Sequence, residues 1–257
     1  MDNKFRIADL RNEFKKKSFT NKELYSFYLK HEPELKETTF RWRVYKLKNE
    51  NLITNISRGM YRLQDDHYYK EFTLEFTNST KKIYKSIVSQ FPYTRVSIWE
   101  TKWLANLMIH QPSNELIIVE VDKEAMKPVF EFLYENKNNV YVNPSKIEIE
   151  KYLLSGKNNI VINNLIKESP LQINGDIMVP RIEKIIVDLF ANKNLFFMYQ
   201  GKELVNIIEE IFKTYNINQS TLNRYATKRR VKNEIVDFIS FQTNIESEKY
   251  IYLRGKR

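Results

Sequence analysis

The 257-residue chain has no cysteine, three histidines and only five glycines. Without cysteine there are no disulfides, thiolate nucleophiles or thiolate zinc sites. His31, His67 and His110 are too far apart for a helix carrying two metal-binding imidazoles four residues apart. The glycines at 59, 156, 175, 201 and 255 are all isolated, so no G-x-G-x-x-G turn or G-x-x-x-x-G-K-[ST] loop can be written. Apolar runs also fall short of the roughly 18 residues that span a bilayer. Lys4, Arg6, Asp9 and Arg11 interrupt the start of the chain, where a secretory leader would be apolar. The expectation is a cytoplasmic protein with no membrane partner and no cofactor.

Positive charge is what the chain does have, and it is unevenly placed. The net charge is +10, divided as +7 in residues 1–64, −2 in 65–220 and +5 in 221–257. Lysine content can follow coding bias, but arginine shows the same division. Six of 13 arginines lie in the first block and five in the last, leaving Arg95 and Arg181 for the middle. Clustered cations at the ends point to an electrostatic footprint for a polyanion.

The first 64 residues read as three helices and a hairpin. Ile7, Leu10 and Phe14 have helical spacing, and Thr20-Asn21-Lys22-Glu23 forms a capping box that opens a second helix to about His31. Pro33 ends it. Thr38 or Thr39 starts a third helix, with Phe40, Val44 and Leu47 on one side. Thr39, Trp42 and Lys46 fall opposite, with Arg43 and Tyr45 on the flanks. Two short β-like runs, 52–56 and 60–63, then flank a turn containing Gly59. This is the order of a winged helix-turn-helix, whose third helix enters the major groove while the hairpin follows the backbone.

Residues 65–79 read as a polar linker and 80–257 as a mixed-sheet α/β domain with a helical C-terminal tail. Helices are expected at 80–91, around Trp103–Leu107, at 123–136 and at 145–154. Strands are expected at 95–99, 116–119, 140–142 and 160–162, and alternation of the two types argues for helices layered on a sheet. Asn174-Gly175 marks a hairpin between 171–173 and 177–179. Pro180 then suits the first position of a helix bearing Ile182, Ile185, Ile186 and Leu189, followed by helices at 195–214, 218–227 and 230–241.

The candidate DNA-binding residues are Thr39, Arg41, Trp42, Arg43 and Lys46 on the third helix, with Arg58 and Arg62 on the hairpin. Arginine forks read guanine edges or clamp phosphates, and lysine acts as a point charge on the backbone. Arg224, Lys228, Arg229 and Arg230, with Lys232 beyond, form a possible second basic patch. Glu120 and Asp122 flank Val121 where an apolar strand ends, and strict alternation would put both carboxylates on one face to hold magnesium. That pair is the basis of an alternative, a metal-dependent enzyme acting on nucleic acid or nucleotides. A solvated strand end is the simpler account. A further alternative is a winged-helix protein-interaction module. His110, after an apolar helix, reads as a hydrogen-bonded helix terminus.

Several motifs together resemble a known family. They are Ser18-Phe19-Thr20, Glu23-Leu24, Thr39-Phe40-Arg41-Trp42-Arg43, Arg58-Gly59-Met60-Tyr61-Arg62-Leu63 and the helix from Val179 to Phe190. They are similar to the AbiEi-like antitoxins and transcriptional regulators of type IV (AbiE) toxin–antitoxin systems. The resemblance implies a non-enzymatic repressor whose partner is double-stranded DNA, the operator of its own operon. It also implies a nucleotidyltransferase-like toxin, neutralised without a stable complex, as functional partner. No C-terminal residue acquires a role from the resemblance.

Overall fold

The computed structural model describes residues 5–15, 18–50, 52–63, 70, 72–110, 112, 115–136, 139–153, 159–246, 250 and 253. Its first unit runs α1 (Ile7–Phe14), β1 (Ser18–Thr20), α2 (Asn21–His31), α3 (Glu37–Asn49), β2 (Ile53–Ser57) and β3 (Met60–Leu63). The three strands form an antiparallel sheet in the order β1-β3-β2, the topology of a winged helix. β1, too short to show a period, joins the wing to the start of α2, where the Asn21 amide also donates to the Gly59 carbonyl. The capping box forms as the sequence predicts: the Thr20 hydroxyl accepts from the Glu23 amide and the Glu23 carboxylate accepts from the Thr20 amide. Gly59 sits at φ 74°, in the left-handed region where a Cβ is strained. Leu10, Phe19, Leu24, Phe27, Tyr28, Phe40, Val44 and Leu47 make the core.

The second unit is built on a four-stranded sheet of β4 (Val96–Glu100), β5 (Leu116–Val121), β6 (Val140–Val142) and β7 (Asn159–Asn164). Its order is β4-β5-β7-β6, antiparallel at β4 and parallel elsewhere, so the expected mixed α/β class is observed. Strand alternation sorts the side chains onto two faces. Val96, Ile98, Ile117, Val119, Ile160 and Ile162 pack with α4 (Asn78–Gln90) and α5 (Met126–Tyr134). Trp99, Leu116, Ile118 and Val161 face the C-terminal helices α6 (Ile182–Ala191), α7 (Lys202–Thr214), α8 (Gln219–Lys228) and α9 (Lys232–Gln242). α6 is buried all round from Ile182 to Phe190 and is the axis of the helical layer.

Several expected elements change; for example, the single helix expected at 195–214 is a 3₁₀ turn at Phe197–Tyr199 and a separate helix from Lys202. Residues 65–79 are not a polar linker throughout. Those at 64–69 and 71 lie outside the described residues, but 72–77 is an extended strap, and Thr77 caps α4 at Asn78. Asn174 and Gln172 donate side-chain hydrogen bonds to the Leu74 and Phe72 carbonyls, and Trp103 Nε1 donates to the Glu75 carbonyl. Leu74 is buried among strand residues, which outweighs the polar composition of its neighbours. Pro180 does not open a helix. It ends β9 (Ile177–Pro180), opposite Leu171 of β8 (Leu171–Asn174), and Arg181 takes the position before α6. The helix around Trp103 is a 3₁₀ helix, Thr101–Leu107.

The two units touch. β2 packs on α8, the Asn216 side chain hydrogen-bonds Thr54 of the wing, and the Lys70 amide donates to the Thr214 carbonyl. Among the described residues, no helix is long and apolar enough to cross a membrane.

Candidate nucleic-acid interface

α3 has a buried stripe and an exposed one. Phe40, Arg43, Val44 and Leu47 face the core, spaced by three, one and three residues. Thr38, Arg41, Trp42, Tyr45 and Asn49 share the opposite stripe and are exposed, Trp42 at 43% and Tyr45 at 59%. Arg41 reaches Glu37 at 2.8 Å across one helical turn, with 72% of its side chain exposed. Trp42 stacks on Phe5 at 6.4 Å between ring centroids and lies under the Lys46 ammonium at 5.9 Å. Thr39 is exposed at the start of the helix, and Arg58 is exposed in the wing turn beside Gly59. Tyr45 and Thr38 thus belong to the outward face, which the reading of Tyr45 as a flank residue missed. The i, i+3, i+4, i+7 series from Thr38 was the available signal.

Arg43 is not on that face. It is 4% exposed, donates from Nη2 to Glu32 Oε2 at 2.6 Å, and lies 4.9 Å from the centre of the Tyr28 ring. Its position between Phe40 and Val44–Leu47 turns it inward, and Glu32 at the end of α2 supplies the counter-charge. That hydrogen bond holds the Glu32 carboxyl below its ordinary range, while burial pushes the Tyr28 hydroxyl well above its own. Arg62 is also displaced from its expected role on the backbone or minor groove. Tyr61 and Leu63 of β3 enter the core, so alternation sends Arg62 to the opposite face. There it lines a crevice with Thr54, Ile56, Phe212, Asn216 and Ile217, at the junction with the C-terminal helices.

The second basic patch is divided. Arg224 and Arg230 are exposed, and Lys228 pairs with Glu168 at 3.0 Å. Arg229 turns inward, donating from Nη1 to Asp188 and from Nη2 to Asn192 at 3.0 Å. It belongs to a buried network in which Lys184 of α6 pairs with Glu120 at 2.6 Å and Asp188 at 2.5 Å, and Tyr225 donates to Asp188. Burial alone would lower the Lys184 pKa, but Asp188 and Glu120 together raise it above its ordinary value. Burial also raises the Tyr225 hydroxyl to about 12.

Glu120 and Asp122 therefore do not form a metal-binding pair. β5 ends at Val121, so alternation does not extend to Asp122, which accepts from the Arg95 side chain and amide. The Arg95 contacts hold the Asp122 carboxyl below its ordinary range. Glu120 is buried against Lys184, contrary to a solvated strand end, and that burial raises its pKa. A protein cation thus stands beside each carboxylate where the alternative needed a metal. Among the described residues no group of three or more His, Asp or Glu side chains is arranged to hold a metal ion. His110 Nδ1 donates to the Glu203 carboxylate at 2.8 Å, at the exposed surface just beyond the 3₁₀ helix.

No curated protein matches the chain. A family model matches residues 39–245, from the start of α3 through the wing, the sheet and α9. The chain belongs to that family, a protein family of unknown function (DUF6577).

Proposed function

We propose that the protein is a duplex-DNA-binding regulator that lays the outer stripe of α3 in the major groove and its wing turn along the backbone. The observation that carries this is the uncovered face of α3. Arg41 and Tyr45 stand exposed, and Trp42 partly so, on the helix that a winged helix inserts into DNA. Arg41 supplies a fork for a guanine edge or a phosphate, and Tyr45 and Thr39 supply hydroxyls. Arg58 is the wing's phosphate contact, and Lys46 adds charge beside Trp42. As a binder it needs no cofactor and carries out no reaction. The narrower regulatory role, repression of its own operon as a type IV antitoxin would exert it, rests on the resemblance of α3, the wing and residues 179–190 to AbiEi-like regulators.

The test is fluorescence anisotropy with duplex DNA from upstream of the protein's own gene, against Arg41→Ala/Arg58→Ala. Both side chains are exposed, so the fold is expected to persist and affinity to fall by roughly tenfold or more. Wild-type affinity should also drop steeply as salt rises. Equal affinity of the double variant, or no DNA binding even at low salt, would overturn the reading. The latter would favour a protein-interaction module.

A further inference from the structure

A cavity of about 690 Å³ lies between the 72–77 strap, the 3₁₀ helix, α6 and α7. Its accessible apolar lining is Phe72, Phe76, Trp103 and Leu107, backed by the buried Leu104, Ile182, Ile185 and Ile211. The volume is in the range of small-molecule sites, which combine apolar walls with a few fixed polar groups. Here the fixed group is Glu100, the last residue of β4, which lines the cavity although it is only 4% exposed.

Glu100 is held by one oxygen. Its Oε1 accepts from the Thr77 amide at 3.0 Å and from the Thr77 hydroxyl at 3.0 Å, at the N-terminus of α4. Oε2 has no hydrogen-bond partner among the described residues, so the carboxylate is fixed in orientation with one oxygen left for a donor. Lys70 and Lys102 also line the cavity, but both are exposed and therefore screened, as is the exposed Glu75. The buried charge governs the interior.

We propose that this cavity is a binding site for a small organic ammonium compound. Its cation hydrogen-bonds Glu100 Oε2 and its apolar body lies against Phe72, Phe76 and Leu107, beside the Trp103 ring. A charge-assisted hydrogen bond in a partly desolvated site is the strong polar contact, and the apolar wall supplies the remaining area. The site stands apart from the α3 face and holds whether or not the protein binds DNA.

Phenethylamine and 3-phenylpropionate serve as matched probes, with the same aromatic arm and opposite head charge. Each is titrated calorimetrically into the full chain, and the thermal unfolding midpoint is followed with each. Phenethylamine should bind and raise the midpoint, with a preference over the acid of roughly tenfold or more. Glu100→Gln keeps an acceptor for Thr77 and should abolish most of that preference. Asn106→Trp, which places a large ring at an exposed lining position, should weaken phenethylamine and keeps the test decisive if Glu100→Gln does not fold. Absence of phenethylamine binding, a preference that survives Glu100→Gln, or undiminished binding to Asn106→Trp would each overturn the proposal.

Discussion

Two arginines two residues apart on α3 have opposite duties. Arg43 is buried, its charge met by Glu32 and its stem packed over Tyr28. Arg43→Ala removes that packing and leaves Glu32 without its partner. Because Glu32 is 40% exposed, the cost is discounted from that of a fully buried pair, to about 2 kcal/mol. Urea unfolding should show it as a lower midpoint at unchanged slope. Arg41→Ala should shift the same midpoint little, since an exposed pair such as Arg41–Glu37 contributes about 0–1 kcal/mol, while weakening DNA binding. A stability loss in both variants would mean that the outer stripe of α3 is structural. Distinguishing the two arginines from the sequence required treating 40, 43, 44 and 47 as one stripe. Arginine's usual exposure hides that pattern, and its counter-charge lies 11 residues away on another helix.

At the scale of elements, local signals are the reliable ones. The Thr20–Glu23 box is a reciprocal contact three residues long, so its chemistry is complete within the motif. Thr20→Ala should cost about 1 kcal/mol, measured by chemical denaturation. The same box sets a pH dependence. Hydrogen bonds from Thr20 lower the Glu23 pKa in the folded state, so its contribution is present above the ordinary carboxylate value of 4.5. It is lost as pH falls through the lower folded value. A pH titration of stability should accordingly show a smaller acid-side decline for Glu23→Gln than for the wild type, and identical slopes would contradict the assignment. Elements defined by tertiary pairing were harder to see. β1 is three residues long and acquires its identity only from β3. The 72–77 strap is extended because Leu74 finds a core and its carbonyls find Asn174 and Gln172.

For the whole molecule, α6 is the axis and the wing is attached to the helices around it. Lys184 sits in full burial between Glu120 of β5 and Asp188 of its own helix, and Arg229 after α8 completes the balance of two cations and two anions. Lys184→Ala leaves two buried carboxylates with one cation, and about 3–5 kcal/mol of destabilisation is expected in equilibrium unfolding. A loss below 1 kcal/mol would show that the network contributes little to stability. Ile56 of β2 is buried and lines the crevice with Phe212 and Ile217. Ile56→Ala should therefore cost about 2 kcal/mol, as a core deletion does, although a free wing would tolerate it.

The sequence by itself determined the helical periods, the capping box, the Gly59 and Gly175 turns and the layered α/β class. Each depends on contacts within a few residues or on a repeating pattern. Only the tertiary structure decided which charges are exposed. Glu120 meets Lys184 across 64 residues, Arg229 meets Asp188 across 41, and Arg62 faces helices that follow it by about 150. A charged side chain enters a core only where packing delivers a partner, because an unpaired buried charge is too costly to persist. The location of that partner depends on how the layers close, which no local pattern records.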